Sequence, residues 1–354
     1  MQFGDRLLPN LGLEIVYYTM KLSFLIPFHC HSKLGTFLVY VACAISWIHV
    51  IRCIPLPFIH LFSIFGIENL ALRFRMFHGF ITVYVFASAV IRTTCLYLFA
   101  TTPGRRLMRS LTDQTQEKLE KLNSETIKRL KTMIIVVTIF VWITIVLNVT
   151  GITLSSFHNS LIGSDTAKTN YYFRQVLIAF GVKPPLWIHT LSMIIFQVLT
   201  DSSLFFVCVI FSYIIAHTEL YRDLRRQIQP YTIDQIDNGS EALVDYFDVA
   251  QFRMKYLKLC DLTARLDVMS RVVNCVQLGA MFFTELCCMF VLLWDPPQDV
   301  FIYMWVIWFA AASAGLILHT GVPAYLHHSV GFINQTSNQS LTESHMFSSF
   351  SSRL

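Results

Sequence analysis

Six apolar segments, each long enough to cross a bilayer, constrain this 354-residue chain more than any other feature of its sequence. A hydrocarbon core about 30 Å thick needs roughly 20 apolar residues in a helix that rises 1.5 Å per residue. Only 14% of the residues are charged, against about 25% in a typical soluble domain. We therefore predict an all-α fold, a polytopic membrane helix bundle with six transmembrane helices, at residues 36–54, 77–101, 132–154, 187–217, 272–294 and 300–322.

The distribution of Lys and Arg predicts the orientation of the bundle. Eight fall between the second and third spans and eight between the fourth and fifth, and these two loops lie on the same side as Arg6, Lys21 and Lys33. The opposite side collects five, so the total is nineteen against five. Because cytoplasmic loops carry the excess of positive charge, we expect a cytoplasmic amino terminus, the reverse of a G-protein-coupled receptor.

The chain then divides into a cytoplasmic segment at 1–35, the membrane bundle at 36–326 and a polar, Ser-rich carboxyl-terminal tail at 327–354. Apolar residues recur at helical spacing within the loops at 102–131 and 218–271. These loops are expected to be helical extensions of the spans that pack on each other or on a partner subunit. Attachment of their basic faces to anionic lipid is the alternative.

Three charged side chains lie inside predicted spans, where each is costly unless it is paired or hydrated. Arg92 is close enough to the cytoplasmic end to reach the headgroups, and snorkelling is the expected behaviour. Asp201 and Glu285 have short side chains, so they must face protein, water or a proton. Gln197, about one turn before Asp201, shares its helix face and enlarges the polar patch. Ligand or ion binding and a structural hydrogen-bond network are both open for these residues.

Aromatic residues cluster in the outer half of the sixth span. Tyr303, Trp305, Trp308 and Phe309 are expected either to line an apolar pocket that faces the fifth span or to pack against lipid and helices.

Catalysis and nucleic-acid binding find no support in the sequence. It contains no glycine-rich phosphate loop, no Gly-x-Ser-x-Gly turn and no His-Glu-x-x-His helix. The net charge of +5 is modest, and 16 of the 27 Lys and Arg residues lie in the two loops, which a membrane surface explains. We therefore expect a protein that is not an enzyme and has no cofactor, no metal centre and no nucleic-acid partner.

The topology resembles that of the gustatory-receptor-like chemoreceptors of insects and nematodes. The likeness comprises the cytoplasmic amino terminus, the long fourth span that runs into a basic segment at 213–227, and the long second and fourth loops. The closest local likeness is the segment 257–267, LKLCDLTARLD, which leads into the fifth span. The similarity extends from the first span to the end of the sixth.

This resemblance implies a plasma-membrane receptor subunit with seven helices that assembles as a tetramer, a ligand-gated cation channel opened by a small-molecule or sensory stimulus. By position it implies a ligand pocket that involves Asp201, Glu285, Tyr303 and Trp305. The family's seventh, pore-lining span has no counterpart here, although 345–354 is similar to the approach to it. A truncated or regulatory subunit is the corresponding expectation. The alternatives are a G-protein-coupled chemoreceptor and a proton- or cation-coupled transporter.

Overall fold

Helices form the described part of the chain, which in this computed structural model comprises residues 13–23, 25–26, 32–52, 72–161, 186–228, 246–294, 296 and 301–351. No strand occurs within these ranges. The helices are α1 Glu14–Leu22, α2 Lys33–Arg52, α3 Leu72–Ala100, α4 Thr102–Leu119, α5 Ser124–Leu161, α6 Leu186–Asp201, α7 Ser203–Ile228, α8 Tyr246–Trp294 and α9 Phe301–Ser351. The prediction of an all-helical protein is confirmed.

Five helical stretches of the described residues are long and apolar enough to cross a membrane. They are Val83–Ala100, Ser124–Thr150, Gln197–Gln227, Gln251–Trp294 and Ile302–Val330. Each overlaps one predicted span, from the second to the sixth. The first predicted span overlaps α2, a helix of 20 residues, of which the stretch Lys33–Ile45 is described with all its side chains and is apolar. A helical membrane bundle with five candidate spans is therefore supported, while a sixth span and a cytoplasmic amino terminus stay predictions.

α7 is the central helix of the bundle. Every residue from 201 to 221 is buried, and α7 packs against α1, α3, α4, α5, α8 and α9. In an apolar stretch of 18 residues within its span 89% of the residues are buried, against 17% in the corresponding stretch of α5. α5 instead buries a narrow stripe, formed by Ile134, Thr138, Val141, Ile145 and Asn148. The three- and four-residue spacing of this stripe is that of one helix face.

The fourth predicted span, 187–217, is two helices rather than one. α6 ends at Asp201 and α7 begins at Ser203, with a turn at Ser202 between them. Ser202 Oγ donates to the carbonyl of Leu199 at 2.8 Å, and Ser203 Oγ donates to the carbonyl of Thr200 at 2.8 Å. Short polar side chains that bond to nearby carbonyls compete with helical backbone bonding. The continuous helix expected across this position is therefore wrong.

The two basic loops are helical where they are described. α4 begins directly after α3, and Thr101 caps it by accepting a hydrogen bond from the Gly104 amide at 3.2 Å. A Cβ atom on Gly104 would lie only 2.7 Å from the Cα atom of Leu98. Glycine therefore permits the close crossing of α4 over the end of α3. In the second basic loop, residues 229–245 lie outside the described residues.

α8 and α9 are the longest helices, with 49 and 51 residues. They are antiparallel neighbours, because Glu285 contacts Ser313 and Met281 lies beside Gly315. Most of the connection between them, 295–300, lies outside the described residues. α9 continues past the predicted span end at 322, through Pro323, to Ser351. The backbone of the Ser-rich segment is therefore helical over 327–351.

Candidate functional site

The Asp201 carboxylate is the centre of a buried polar cluster at the junction of α6 and α7. Its side chain is completely buried. Gln197 Nε2 donates to Oδ1 at 2.8 Å and to Oδ2 at 2.9 Å. Tyr84, on α3, donates its hydroxyl to Oδ1 at 2.5 Å. The prediction that Gln197 and Asp201 share a helix face is confirmed, and α3 contributes a partner that sequence reasoning did not identify.

Asn148 brings a third helix segment, α5, to the carboxylate. It is the last member of the buried stripe of α5 and hydrogen-bonds to Asp201 through its side chain. Its Oδ1 atom is buried and has no hydrogen-bond partner among the described residues. We refer to Asp201, Gln197, Tyr84 and Asn148 as the acid cluster. All three partners of the carboxylate in this cluster are neutral.

Arg92 closes the end of α6 next to the acid cluster. Its Nε atom donates to the carbonyl of Leu199 at 2.9 Å, while Nη2 donates to the same carbonyl and to Ser202 Oγ. The side chain is 2% exposed, so the expectation that it would snorkel to the headgroups is wrong. The physical reason is that a helix ending inside an apolar bundle leaves carbonyl groups unpaired, and a cation at a helix carboxyl terminus is favourable.

The α3 side of this junction is a regular ladder. Tyr84, Ser88 and Arg92 lie on successive turns of one face of α3 and bond to Asp201, to the Thr200 carbonyl and to the Leu199 carbonyl in turn. Their four-residue spacing inside an apolar segment is the sequence signal that could have identified the ladder. Asn148 has no comparable signal, because its role depends on how α5 is rotated against α3 and α6.

Glu285 has different surroundings from those of Asp201. It is half-buried and accepts a hydrogen bond from Ser313 Oγ of α9 at 2.7 Å. The carboxylate therefore lies at the interface of α8 and α9, where a neutral hydroxyl is its hydrogen-bond partner. This contact is of the kind that polar residues commonly make between membrane helices.

The aromatic candidates separate from each other. Trp305 is buried and packs edge-to-face on Trp308 at 5.6 Å between ring centroids. The two indoles belong to a small apolar cluster that also contains Cys287, Cys288, Val291 and Met304. Tyr303 is 68% exposed and lies on the outside of the bundle. The five residues predicted to bind a ligand therefore occur in four separate surroundings. Asp201 and Gln197 belong to the acid cluster, Glu285 contacts Ser313, Trp305 belongs to the tryptophan cluster, and Tyr303 lies on the outer surface.

A second polar network lies further along α7 from the break. The fully buried His217 contacts Thr115 of α4 at 3.1 Å through Nε2 and Thr263 of α8 at 3.2 Å through Nδ1. One turn earlier, Tyr213 contacts Thr112 of α4 at 2.6 Å. This network joins α4, α7 and α8, and sequence reasoning did not identify it. Its signal is the spacing of Thr112 and Thr115 on one helix face and of Tyr213 and His217 on another.

Comparison with protein-family models and with curated proteins gave no match for this chain. Over the described ranges, no three His, Cys, Asp or Glu side chains are grouped so that they could hold a metal ion.

Proposed function

We propose that this chain is a chemosensory receptor subunit of the gustatory-receptor-like type, acting in the plasma membrane as a ligand-gated cation channel subunit or as a regulatory partner of one. The observation that carries the proposal is the placement of the acid cluster at one end of α7. From there α7 continues as one helix to the network at His217. A polar junction inside the membrane is thus connected by a single buried helix to the helices of the basic loops.

The connection gives a physical route from stimulus to response. A ligand that displaces or reorients a side chain of the acid cluster alters the junction of α3, α5 and α6. Because α7 is packed on all sides, it can shift only together with its neighbours, as close-packed interiors transmit strain. The contacts of His217 with α4 and α8 pass that shift to the helices of the two basic loops.

Electrical recording tests the proposal. Cells that express the full chain, alone and with candidate partner subunits, are exposed to a panel of small molecules while membrane current is measured. We expect stimulus-dependent cation current in at least one combination, a reduced response for Asp201→Asn, and an unchanged response for Glu117→Gln. Glu117 is a suitable control because it lies on the surface of α4, 71% exposed and paired with Lys121. Absence of current in every combination, with surface expression verified, would refute the channel proposal.

A cation- or proton-coupled transporter is the second candidate, and the break at Ser202 is the observation that favours it. Transporters often bind substrates and coupling ions where a membrane helix is interrupted, and Asp201 lies at such an interruption. Uptake of a labelled substrate that persists without channel current, and that is lost in Asp201→Asn, would favour this function over a channel. Uptake that is unchanged by Asp201→Asn would count against it.

A further inference from the structure

We propose that the acid cluster binds a small monovalent cation, held by the Asp201 carboxylate together with the oxygens of Tyr84 and Asn148. The inference concerns an ion bound inside the bundle. It requires neither that the chain conducts nor that it transports, so it goes beyond both proposed functions. Its support is the charge balance of Asp201 and the oxygen atoms that surround the carboxylate.

No direct ion pair within the described ranges balances the charge of Asp201. Its hydrogen-bond partners Tyr84, Gln197 and Asn148 are all neutral. The ion pairs formed among the described residues involve other acids. A buried charge inside a membrane protein is costly unless an opposite charge accompanies it. One carboxylate balances one positive charge, which favours a monovalent over a divalent ion.

Arg92 does not take the place of that ion. Its guanidinium donates to the Leu199 carbonyl and to Ser202 Oγ, at the end of α6. The arginine therefore stabilises the carboxyl-terminal dipole of α6, and among the described residues no ion pair joins it to Asp201.

The oxygen atoms of the cluster suit a hard cation. Asp201 offers two carboxylate oxygens, and the hydroxyl oxygen of Tyr84 lies 2.5 Å from one of them. Asn148 Oδ1 is a buried acceptor without a hydrogen-bond partner among the described residues, on a side chain that is only 8% exposed and whose amide interacts with Asp201. Carboxylate, hydroxyl and amide oxygens are the ligands that hard cations such as Na⁺ prefer. A bound cation would provide the unpaired amide oxygen with a partner and the carboxylate with its counter-charge.

Thermal unfolding of the purified full chain in detergent tests the site. The midpoint is measured in chloride salts of Na⁺, Li⁺, K⁺ and N-methyl-D-glucamine at one pH and one ionic strength. Because an ion that binds only the folded state stabilises it, we expect a saturable rise of about 2–6 °C with a small cation over N-methyl-D-glucamine. A midpoint that is the same in all four salts would overturn the proposal.

Variants assign the effect to the acid cluster. Asp201→Asn keeps the side-chain shape and should abolish the difference between salts, while Asn148→Ala should shift the half-saturating concentration upwards at least several-fold. Glu285→Gln, which neutralises the other predicted membrane carboxylate, should retain the full difference. If Asp201→Asn does not fold, Asn148→Ala decides. A salt effect that survives both substitutions, or a midpoint that depends on pH but not on the cation, would refute the site. Neither result depends on current or uptake, so failure here is separate from failure of the receptor proposal.

Discussion

The hydrogen bond between Tyr84 and Asp201 allows a quantitative test of the charge on the acid cluster. At 2.5 Å it has the length of an O–H···O⁻ bond. Bonds to a charged partner contribute about 1.5–3 kcal/mol, whereas hydrogen bonds between membrane helices average about 0.6 kcal/mol. Asp201→Asn replaces the charged acceptor of this hydrogen bond by a neutral amide oxygen, so that the bond becomes one between neutral groups. Tyr84→Phe should therefore cost about 1 kcal/mol more in the native chain than in Asp201→Asn.

The assay is a double-mutant cycle on the free energy of unfolding, measured by titration of the purified protein with sodium dodecyl sulfate in mixed micelles. Tyr97→Phe is the matched control, because Tyr97 is on the same helix but 49% exposed, and it should change the free energy by less than about 0.5 kcal/mol. A coupling energy within about 0.5 kcal/mol of zero would mean that the tyrosine does not bond to an ionised carboxylate, and would contradict the charge argument.

Three further predictions address packing, the helix break and orientation. Gly104→Ala should lower the free energy of unfolding by about 1–3 kcal/mol, because its methyl group would meet the α3 backbone. Gly279→Ala should raise it by up to about 1 kcal/mol, because the added methyl group would lie more than 4 Å from the described atoms outside its own helical turn. If both substitutions changed the free energy of unfolding in the same direction, the close packing at Gly104 would be contradicted. Arg92→Leu should cost about 2–4 kcal/mol in the same measurement by leaving buried acceptors unpaired, with partial recovery in Arg92→Lys; a cost under about 0.5 kcal/mol would contradict the capping role. An amino-terminal epitope tag should stain only in permeabilised cells, and staining of intact cells would reverse the assigned orientation and favour a G-protein-coupled receptor.

The helical architecture was predictable from the sequence because lipid leaves few alternatives. A backbone inside a bilayer must satisfy its own hydrogen bonds, so apolar length alone locates α3, α5, α8 and α9. Helical periodicity was also sufficient to place Gln197 beside Asp201, because residues one turn apart share a face.

The helix break and the acid cluster depended on tertiary structure. Hydropathy averages over the polar residues 200–203, so the turn at Ser202 is hidden inside one long apolar segment. Arg92 was expected at the headgroups because its distance from the span end permits that position. It lies instead where the interrupted helix exposes carbonyl groups, and that location depends on how α3 packs against α6. Asn148 likewise becomes a partner of Asp201 only through the rotation of α5, which its own sequence does not encode.

The uninterrupted length of α8 has a mechanical consequence. Its 49 residues include no proline and extend about 73 Å at 1.5 Å per residue, of which a bilayer core takes about 30 Å. A helix of this kind is expected to move as one rigid body. A change in tilt of only about 5° at one end displaces the other by about 6 Å, as follows from the length given by the helical rise. Side-chain rearrangements of ångström scale in the membrane thus become movements at the far end that are large enough for a neighbouring protein to detect.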